Sequence, residues 1–275
     1  MVPVLTVERG VVGVGGFALL LLIESVWPFR PCVESRRRRY AINLFIAGSN
    51  AFLLSALLGG AIVSVYHSFE LHRFGLLHRL GITSWWNAAL TVVFLDGVTY
   101  AWHRAYHGLP MMWRMHRVHH SDRDLDVTTS GRFHLMEMTL SAIVRLGVII
   151  IWGASVGSVV LFEIVFGLLN QLEHANLHLP WRFDQALRWV FVTPDMHRIH
   201  HSQVPEHTNS NYSTIFSWWD RLCGTYRFGE DQQTLAIGLP EYRHPEDVSL
   251  RSVLVMPFGP PCGAGHAPRM AFRSA

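Results

Sequence analysis

Apolar and polar residues along this chain fall into long blocks. Residues 11–27 are almost uninterruptedly hydrophobic, and with their flanks they approach the ~20 residues needed to cross a ~30 Å hydrocarbon core. A signal-peptide core is the competing reading, but positive charge follows the run instead of preceding it, and no small-residue cleavage site is evident. Residues 41–66 contain no charged side chain, which makes a second span. A third covers residues 85–102, with Trp85 and Trp102 marking the two interfaces. Asp96 lies inside it, and an ionised carboxylate at mid-membrane costs roughly 2.5–3.5 kcal/mol, so it needs a partner or a role. Residues 135–172 are apolar again, either as two short spans turning near 153–157 or as a re-entrant hairpin; both return the chain to the side it left. Arg145 and Glu163 fall within this stretch as a candidate pair.

The polar blocks set the expected topology. Arg36, Arg37, Arg38 and Arg39 should remain cytoplasmic, each attracted to anionic lipid by about 1 kcal/mol, which leaves the amino terminus outside. Residues 67–83 read as an amphipathic surface segment whose His72 and His78 lie opposite the main histidine cluster and are not ligands. Residues 108–132 are polar and histidine-rich, with Pro110 interrupting any single helix. Beyond Trp181 the chain reads as a mostly soluble cap, and from Gly229 as a Pro- and Gly-rich tail without a motif, partly disordered. The expected fold is an all-α integral membrane bundle of four to five membrane segments with a cytosolic, histidine-rich helical cap. Its parts are membrane helices and a connecting loop over 1–83, a core over 84–228 and a tail over 229–275.

Composition narrows the chemistry. Half of the 275 residues are hydrophobic, in keeping with a membrane protein. The net charge of +3, with four arginines in one run, is too small to imply nucleic acid. Cys32, Cys223 and Cys262 form neither a disulfide framework nor a CxxC site. No phosphate-binding Gly loop, HExxH, GxSxG or CxxCH is present. The anomaly is seventeen histidines.

Ten of them are ordered. Met115-His116-Arg117-Val118-His119-His120-Ser121 returns 81 residues later as Met196-His197-Arg198-Ile199-His200-His201-Ser202, with one conservative difference. On a helix the three imidazoles of each copy share a face, with Cβ atoms roughly 5–6 Å apart. An i, i+4 pair precedes each copy, His103 with His107 and His174 with His178. Ten imidazoles exceed what one ion can use, so the pattern predicts two ions with about five ligands each. Asp96, two turns before His103 on the same face, is placed to hydrogen-bond a liganding imidazole or to serve helix packing.

From Asp96 to Tyr226 the chain resembles the fatty acid hydroxylase and sterol desaturase superfamily. The resemblance is carried by Asp96, His103-Arg-Ala-Tyr-His107, His116-Arg-Val-His119-His120, Arg132-Phe-His134-Leu-Met-Glu137, His174-Ala-Asn176, His197-Arg-Ile-His200-His201, Asn211-Tyr212 and Trp219-Asp-Arg-Leu-Cys-Gly-Thr-Tyr226. It implies two histidine-bound, non-haem irons, with O2 as co-substrate for oxidation of an unactivated lipid C–H bond by hydroxylation or desaturation. A sterol, fatty acyl chain or carotenoid are all compatible substrates. Under this resemblance His134 has a supporting role, Glu137 hydrogen-bonds a ligand or adds a carboxylate, and Asn176 holds a water on metal or caps a helix. Electrons are expected from an external ferredoxin, rubredoxin or cytochrome b5 with its reductase, since no fused haem domain with an HPGG sequence is evident. Arg117 and Arg198 offer such a carrier a docking rim, or serve packing or phospholipid headgroups. A bacterial inner membrane is the first expectation and the endoplasmic reticulum the second, no retrieval signal being evident. Competing readings are a metal transporter or storage protein and a bis-histidine haem carrier, the latter leaving six histidines idle.

Overall fold

The structure, a computed structural model, describes residues 2–259, with the side chains of residues 2–8 outside that description. Among the described residues the chain is helical, and pairing of the β type is confined to two isolated bridges, Phe191 with Phe216 and Ser202 with Ile237. Helix α1 covers Val2–Val26. Helix α2, Arg36–Leu54, runs through a π-turn at Ser55–Gly59 into α3, Gly60–Leu71, and a short α4, Leu76–Arg79, follows. Helix α5 covers Ser84–Gly108, and α6, Pro110–His120, begins after Leu109 leaves the helical region at ψ 120°. Pro110 is the first residue of α6, where its missing N–H has no intrahelical partner to lose.

The apolar stretch over 135–172 forms two helices, α7 at Leu135–Trp152 and α8 at Val156–His174. Gly153 ends α7 in the left-handed region at φ +78°, which a residue with a Cβ adopts at a cost. The turn is also crowded: a Cβ on Gly75 would lie 2.4 Å from the Gly153 Cα. Arg145 and Glu163 pair between the two helices at 2.9 Å.

Four stretches are long and apolar enough to cross a membrane: Arg9–Val26, Arg36–Arg79, Leu135–Trp152 and Val156–His174. Helix α5, which is not one of these four, packs beside them against α8. At one end its Asn87 bonds the Gly153 carbonyl and the Ser155 N–H of the α7–α8 turn; at the other its His103 meets His116. Large apolar side chains such as Leu22, Phe52, Leu57 and Ile151 remain exposed on the bundle, as lipid-facing positions do.

Charged side chains lock the histidine end. Of the four arginines that open α2, Arg39 alone is buried, and its guanidinium spans Asp122 at 2.8 and 2.9 Å, Asp126 and the Asp124 carbonyl. Burial by itself would raise Asp122, but Arg39 outweighs it and holds the carboxyl below the usual range. The Glu24 carboxylate, near the end of α1, accepts from Val127 N–H at 3.1 Å and Asn176 N–H at 2.9 Å. The arginine run is therefore a structural joint as well as a charge signal.

Residues 229–259 depart from the expectation of a loose tail. Gly238 N–H donates to the His201 carbonyl and Gln203 N–H to that of Ala236. Val253, in the short helix Leu250–Val255, and Met256 share a core with Ile42, Ile46 and Val118. Apolar side chains at helical spacing late in a Pro-rich sequence thus complete the cap. Residues 260–275, including Cys262, lie outside the described residues.

Candidate metal centre

Helix α5 brings His103 and His107 to the histidine end on one face, and α6 returns over them with His116, His119 and His120. Helix α8 ends at His174, and α10, Pro194–His200, supplies His197 and His200, with His201 just past its end. A short α9, Trp181–Leu187, lies between. At ~100° per residue, the first and last histidines of each heptapeptide stand about 40° apart, while the middle one lies about 60° off the other way.

The nine rings fall into two groups. One holds His103, His107, His116, His120 and His200, and the other His119, His174, His197 and His201. Each heptapeptide places its first and last histidine in its own group and its middle histidine in the opposite one. The groups touch, with the His120 and His201 rings stacked at 4.6 Å and the His119 and His120 centroids 5.4 Å apart.

Backbone and carboxylate acceptors aim the rings. Nδ1 of His103 pairs with the Tyr212 carbonyl at 2.8 Å, that of His174 with Asn170 at 2.7 Å, and that of His200 with Ser210 at 2.7 Å. His116 Nδ1 pairs with Glu137 Oε1 at 2.7 Å. A proton held on Nδ1 leaves the Nε2 lone pair facing inward, the tautomer a metal requires. Burial pushes His116 down to about 3. It also pushes His119, His120, His197, His200 and His201 well below the usual histidine value, and neighbouring imidazoles deepen that effect. These rings are therefore neutral at physiological pH, the form in which an imidazole can ligate a metal.

The donor set fits metal. Within each group the candidate nitrogens all lie within 4.8 Å of one another. Two ligands each ~2.1 Å from one ion stand at most ~4.2 Å apart, so contraction by about half an ångström suffices. Between His103 and His116, and between His174 and His197, Nε2 atoms face each other at 3.1 and 3.0 Å. Nε2 of His120 and of His200, and both nitrogens of His107, are buried without a hydrogen-bond partner. Imidazole suits iron, zinc, copper and nickel alike.

His178 stands outside both groups. The i, i+4 reading needs a continuing helix, but α8 ends at His174 and Ala175 turns away at ψ 142°. His178 instead stacks on Phe29 at 4.6 Å and its Nδ1 lies 2.9 Å from Asp195. Asp96 does not reach an imidazole either. Its carboxylate accepts from Ile215 N–H, Phe216 N–H and Trp219 Nε1–H at 2.8–3.1 Å. Gly97 makes that possible, because a Cβ there would lie 2.9 Å from the Trp219 ring.

The other candidates have similarly definite places. His134 caps α7, accepting from Met136 N–H through Nδ1, and its Nε2 meets the Leu254 carbonyl. Asn176 faces neither group; its side chain binds the backbone N–H and carbonyl of Arg30, tying the end of α1 to the end of α8. Arg117 and Arg198 are buried rather than rim-exposed.

Two contributors had no assigned role in the sequence. Asp220 accepts from Tyr212 N–H and Ser213 N–H at 2.8 and 3.0 Å, and so fixes the carbonyl that orients His103. Glu173 is buried with its oxygens 3.8 Å from the Nδ1 atoms of His174 and His197. Each heptapeptide thus has a glutamate near its first histidine, Glu137 for one copy and Glu173 for the other. Asp220 fell within the Trp219–Tyr226 segment of the resemblance, whereas Glu173 carried no signal beyond adjoining His174.

A family model described as fatty acid hydroxylase matches residues 88–225. The chain is 31% identical over 152 residues to the ornithine lipid hydroxylase OlsE of Rhizobium tropici, covering 54% of this chain and 44% of that protein. It is 31% identical over 216 residues to the alkylglycerol monooxygenase of Danio rerio, covering 76% and 46% respectively. A cholesterol 25-hydroxylase-like protein of Danio rerio is 26% identical over 148 residues, covering 52% of this chain and 56% of that one. The matches to the hydroxylase and the monooxygenase thus span less than half of each relative. No solved structure matches.

Proposed function

The chain belongs to the fatty acid hydroxylase family, and on that premise we propose that it is an O2-dependent membrane oxygenase that holds two irons and hydroxylates an unactivated C–H bond of a lipid. The observation that carries this reading is the cross-donated pair of imidazole groups, five and four rings in mutual contact at one end of a membrane bundle. When bound, the iron pair supplies the redox chemistry that activates O2 toward a C–H bond.

The chain's own residues aim, cover and exclude. Glu137 and the carbonyls of Tyr212, Asn170 and Ser210 hold four rings in ligating orientation. Burial keeps solvent away from the reacting carbon. Phe133 stacks on His119 at 4.4 Å and 11°, forming an apolar wall. Behind it lies a cavity of about 80 Å³, lined by Ile46 and Leu53 of α2 and by Val118, Phe133 and Leu135. A hydrocarbon tail arriving from the bilayer between α2 and α7 meets an apolar approach there. Helices α6 and α10 each contribute histidines to both groups, so these two helices would hold both irons.

Two electrons per O2 are required, and we assign their delivery to an external ferredoxin, rubredoxin or cytochrome b5. The arginine run, read as a positive-inside signal, supports a cytosolic cap. A transport route would string its ligands along the spans, whereas these rings are gathered at one end.

The test is anaerobic purification followed by metal analysis and lipid mass spectrometry. Close to two irons per chain and a +16 mass change in a membrane lipid are expected. One zinc per chain with full activity refutes the proposal.

A further inference from the structure

A second, chemically different site lies on the outer side of the cap. A cavity of about 220 Å³ is bounded by Arg30, Arg123, Arg198 and Arg243, with Asp124 as its single lining carboxylate. A water needs only about 10–15 Å³ measured in that way. Two of the four arginines are already matched: Arg123 pairs with Glu34, and Arg198 with Asp195 at 2.8 Å. Asp124 is occupied too, accepting from the N–H groups of Val33 and Glu34 at 2.8 and 2.9 Å.

Arg30 and Arg243 make no ion pair among the described residues. Arg30 donates from Nη2 to the Leu235 carbonyl, while its Nη1 is buried with no partner. Arg243 donates from Nη1 to the Ile237 carbonyl at 3.0 Å. Burial and the charge of Arg123 both push Arg243 below the usual arginine value. Arg30 is held at both ends, its backbone by Asn176 and its guanidinium by the Leu235 carbonyl. Asp124, and for Arg30 also Asp231, offset part of this charge, but four guanidinium groups against one lining carboxylate leave the cavity net positive, and a guanidinium fork matches a tetrahedral or planar oxyanion.

We propose that this cavity binds the phosphate group of a membrane lipid, gripped by Arg30 and Arg243. The bilayer is the favoured source over a soluble phosphate because Arg30 follows the end of α1 at Val26 by four residues, where the first span leaves the membrane. Trp27 and Val33, on either side of it, are exposed apolar side chains suited to that interface. The cavity also adjoins the metal centre without belonging to it, since Arg198 sits beside His197 on α10 while lining the other wall.

Binding is measured on the full chain in dodecyl maltoside, metal-free as well as metal-loaded, so that failure of the oxygenase reading leaves the result interpretable. The probes are phosphatidylglycerol, diacylglycerol and inorganic phosphate. Saturable binding of one phosphatidylglycerol per chain is expected, with diacylglycerol at least tenfold weaker. The Arg30→Gln/Arg243→Gln double variant should lose at least tenfold, while Arg243→Lys, which keeps the charge, should lose less than threefold; thermal unfolding verifies that each variant is folded. Undiminished phosphatidylglycerol binding in the folded double variant overturns the site. Phosphate binding that the same substitutions abolish, with no phosphatidylglycerol binding, assigns the cavity to a soluble anion and overturns the lipid source.

Discussion

Removing the acceptor that aims His116 tests the centre without removing a ligand. The Glu137 Oε1 atom lies 2.7 Å from His116 Nδ1, and the two side chains are only 5% and 3% exposed. Glu137→Ala leaves a buried ring N–H without its acceptor, a loss of about 1–3 kcal/mol. It also frees the ring to turn its Nε2 away from His103, which now faces it at 3.1 Å. Losing the acceptor behind a metal-bound histidine typically weakens metal binding 10–100-fold, or about 1.4–2.7 kcal/mol at ~1.36 kcal/mol per decade. The two routes agree in size. Glu137→Gln keeps an acceptor oxygen and should fall between wild type and alanine. The assay is chelator competition on detergent-purified protein, reading retained iron per chain, with far-UV circular dichroism as the fold control. Glu163→Ala breaks the Arg145 pair between α7 and α8, whose partners are about a quarter exposed, and should leave iron retention unchanged. Wild-type retention in Glu137→Ala, or equal loss in Glu163→Ala, refutes the aiming role.

His178→Ala should retain its full metal content, because its ring pairs with Asp195 outside both groups; His201→Ala should lose metal, and equal behaviour of the two by metal analysis refutes the grouping. Asp122→Asn breaks the buried Arg39 pair and should destabilise the protein by about 3–5 kcal/mol, seen as a lowered melting temperature at pH 7; an unchanged melt refutes it. The Asp122 carboxyl lies below its unfolded value of ~3.9, so this contribution is complete above that pH and is lost only as pH falls below it. Histidine shows the same sign in a higher window: His116 drops from an unfolded ~6.5 to about 3, so stability is complete above ~6.5 and declines as pH falls toward 3. In the metal-free protein that amounts to about 2 kcal/mol at pH 5 from this ring alone, and identical melts at pH 7 and pH 5 refute it.

Much of the bundle was legible because hydropathy along a spanning helix depends on local sequence alone. The turn at Gly153, the Arg145–Glu163 pair and the break before Pro110 all follow from residues within a few turns of one another. Other features depend on where distant segments meet. The sequence shows Asp96 as a carboxylate in need of a partner, but its partners at residues 215–219 become visible only when the cap folds onto α5. The spacing of His174 and His178 resembles that of His103 and His107, yet it carries meaning only while the helix continues, and α8 stops at His174. Glu173 adjoins a ligand in sequence, and nothing local distinguishes it from an exposed helical glutamate. The crossing of His119 and His200 into opposite groups is set by how α6 and α10 face each other, which periodicity within either helix does not encode.

The arginine of the heptapeptide explains why the motif recurs whole, and not as three histidines alone. Arg117 and Arg198 follow the first histidine of their copies by one residue, which turns them about 100° from it around the helix. Both are buried. Arg117 donates to the Met256 carbonyl, holding the final turn of the described chain against α6. Arg198 donates to the Leu177 carbonyl at 2.6 Å, holding the segment that leaves His174 against α10. Each short helix thus points imidazoles at the centre and a guanidinium at a segment that covers it. A guanidinium suits the second task because its fork satisfies backbone carbonyls that an irregular segment leaves open. The two stretches of seven residues thus supply six of the nine grouped histidines and also hold the segments that cover them, so displacing either helix would open the cover as it separates the rings.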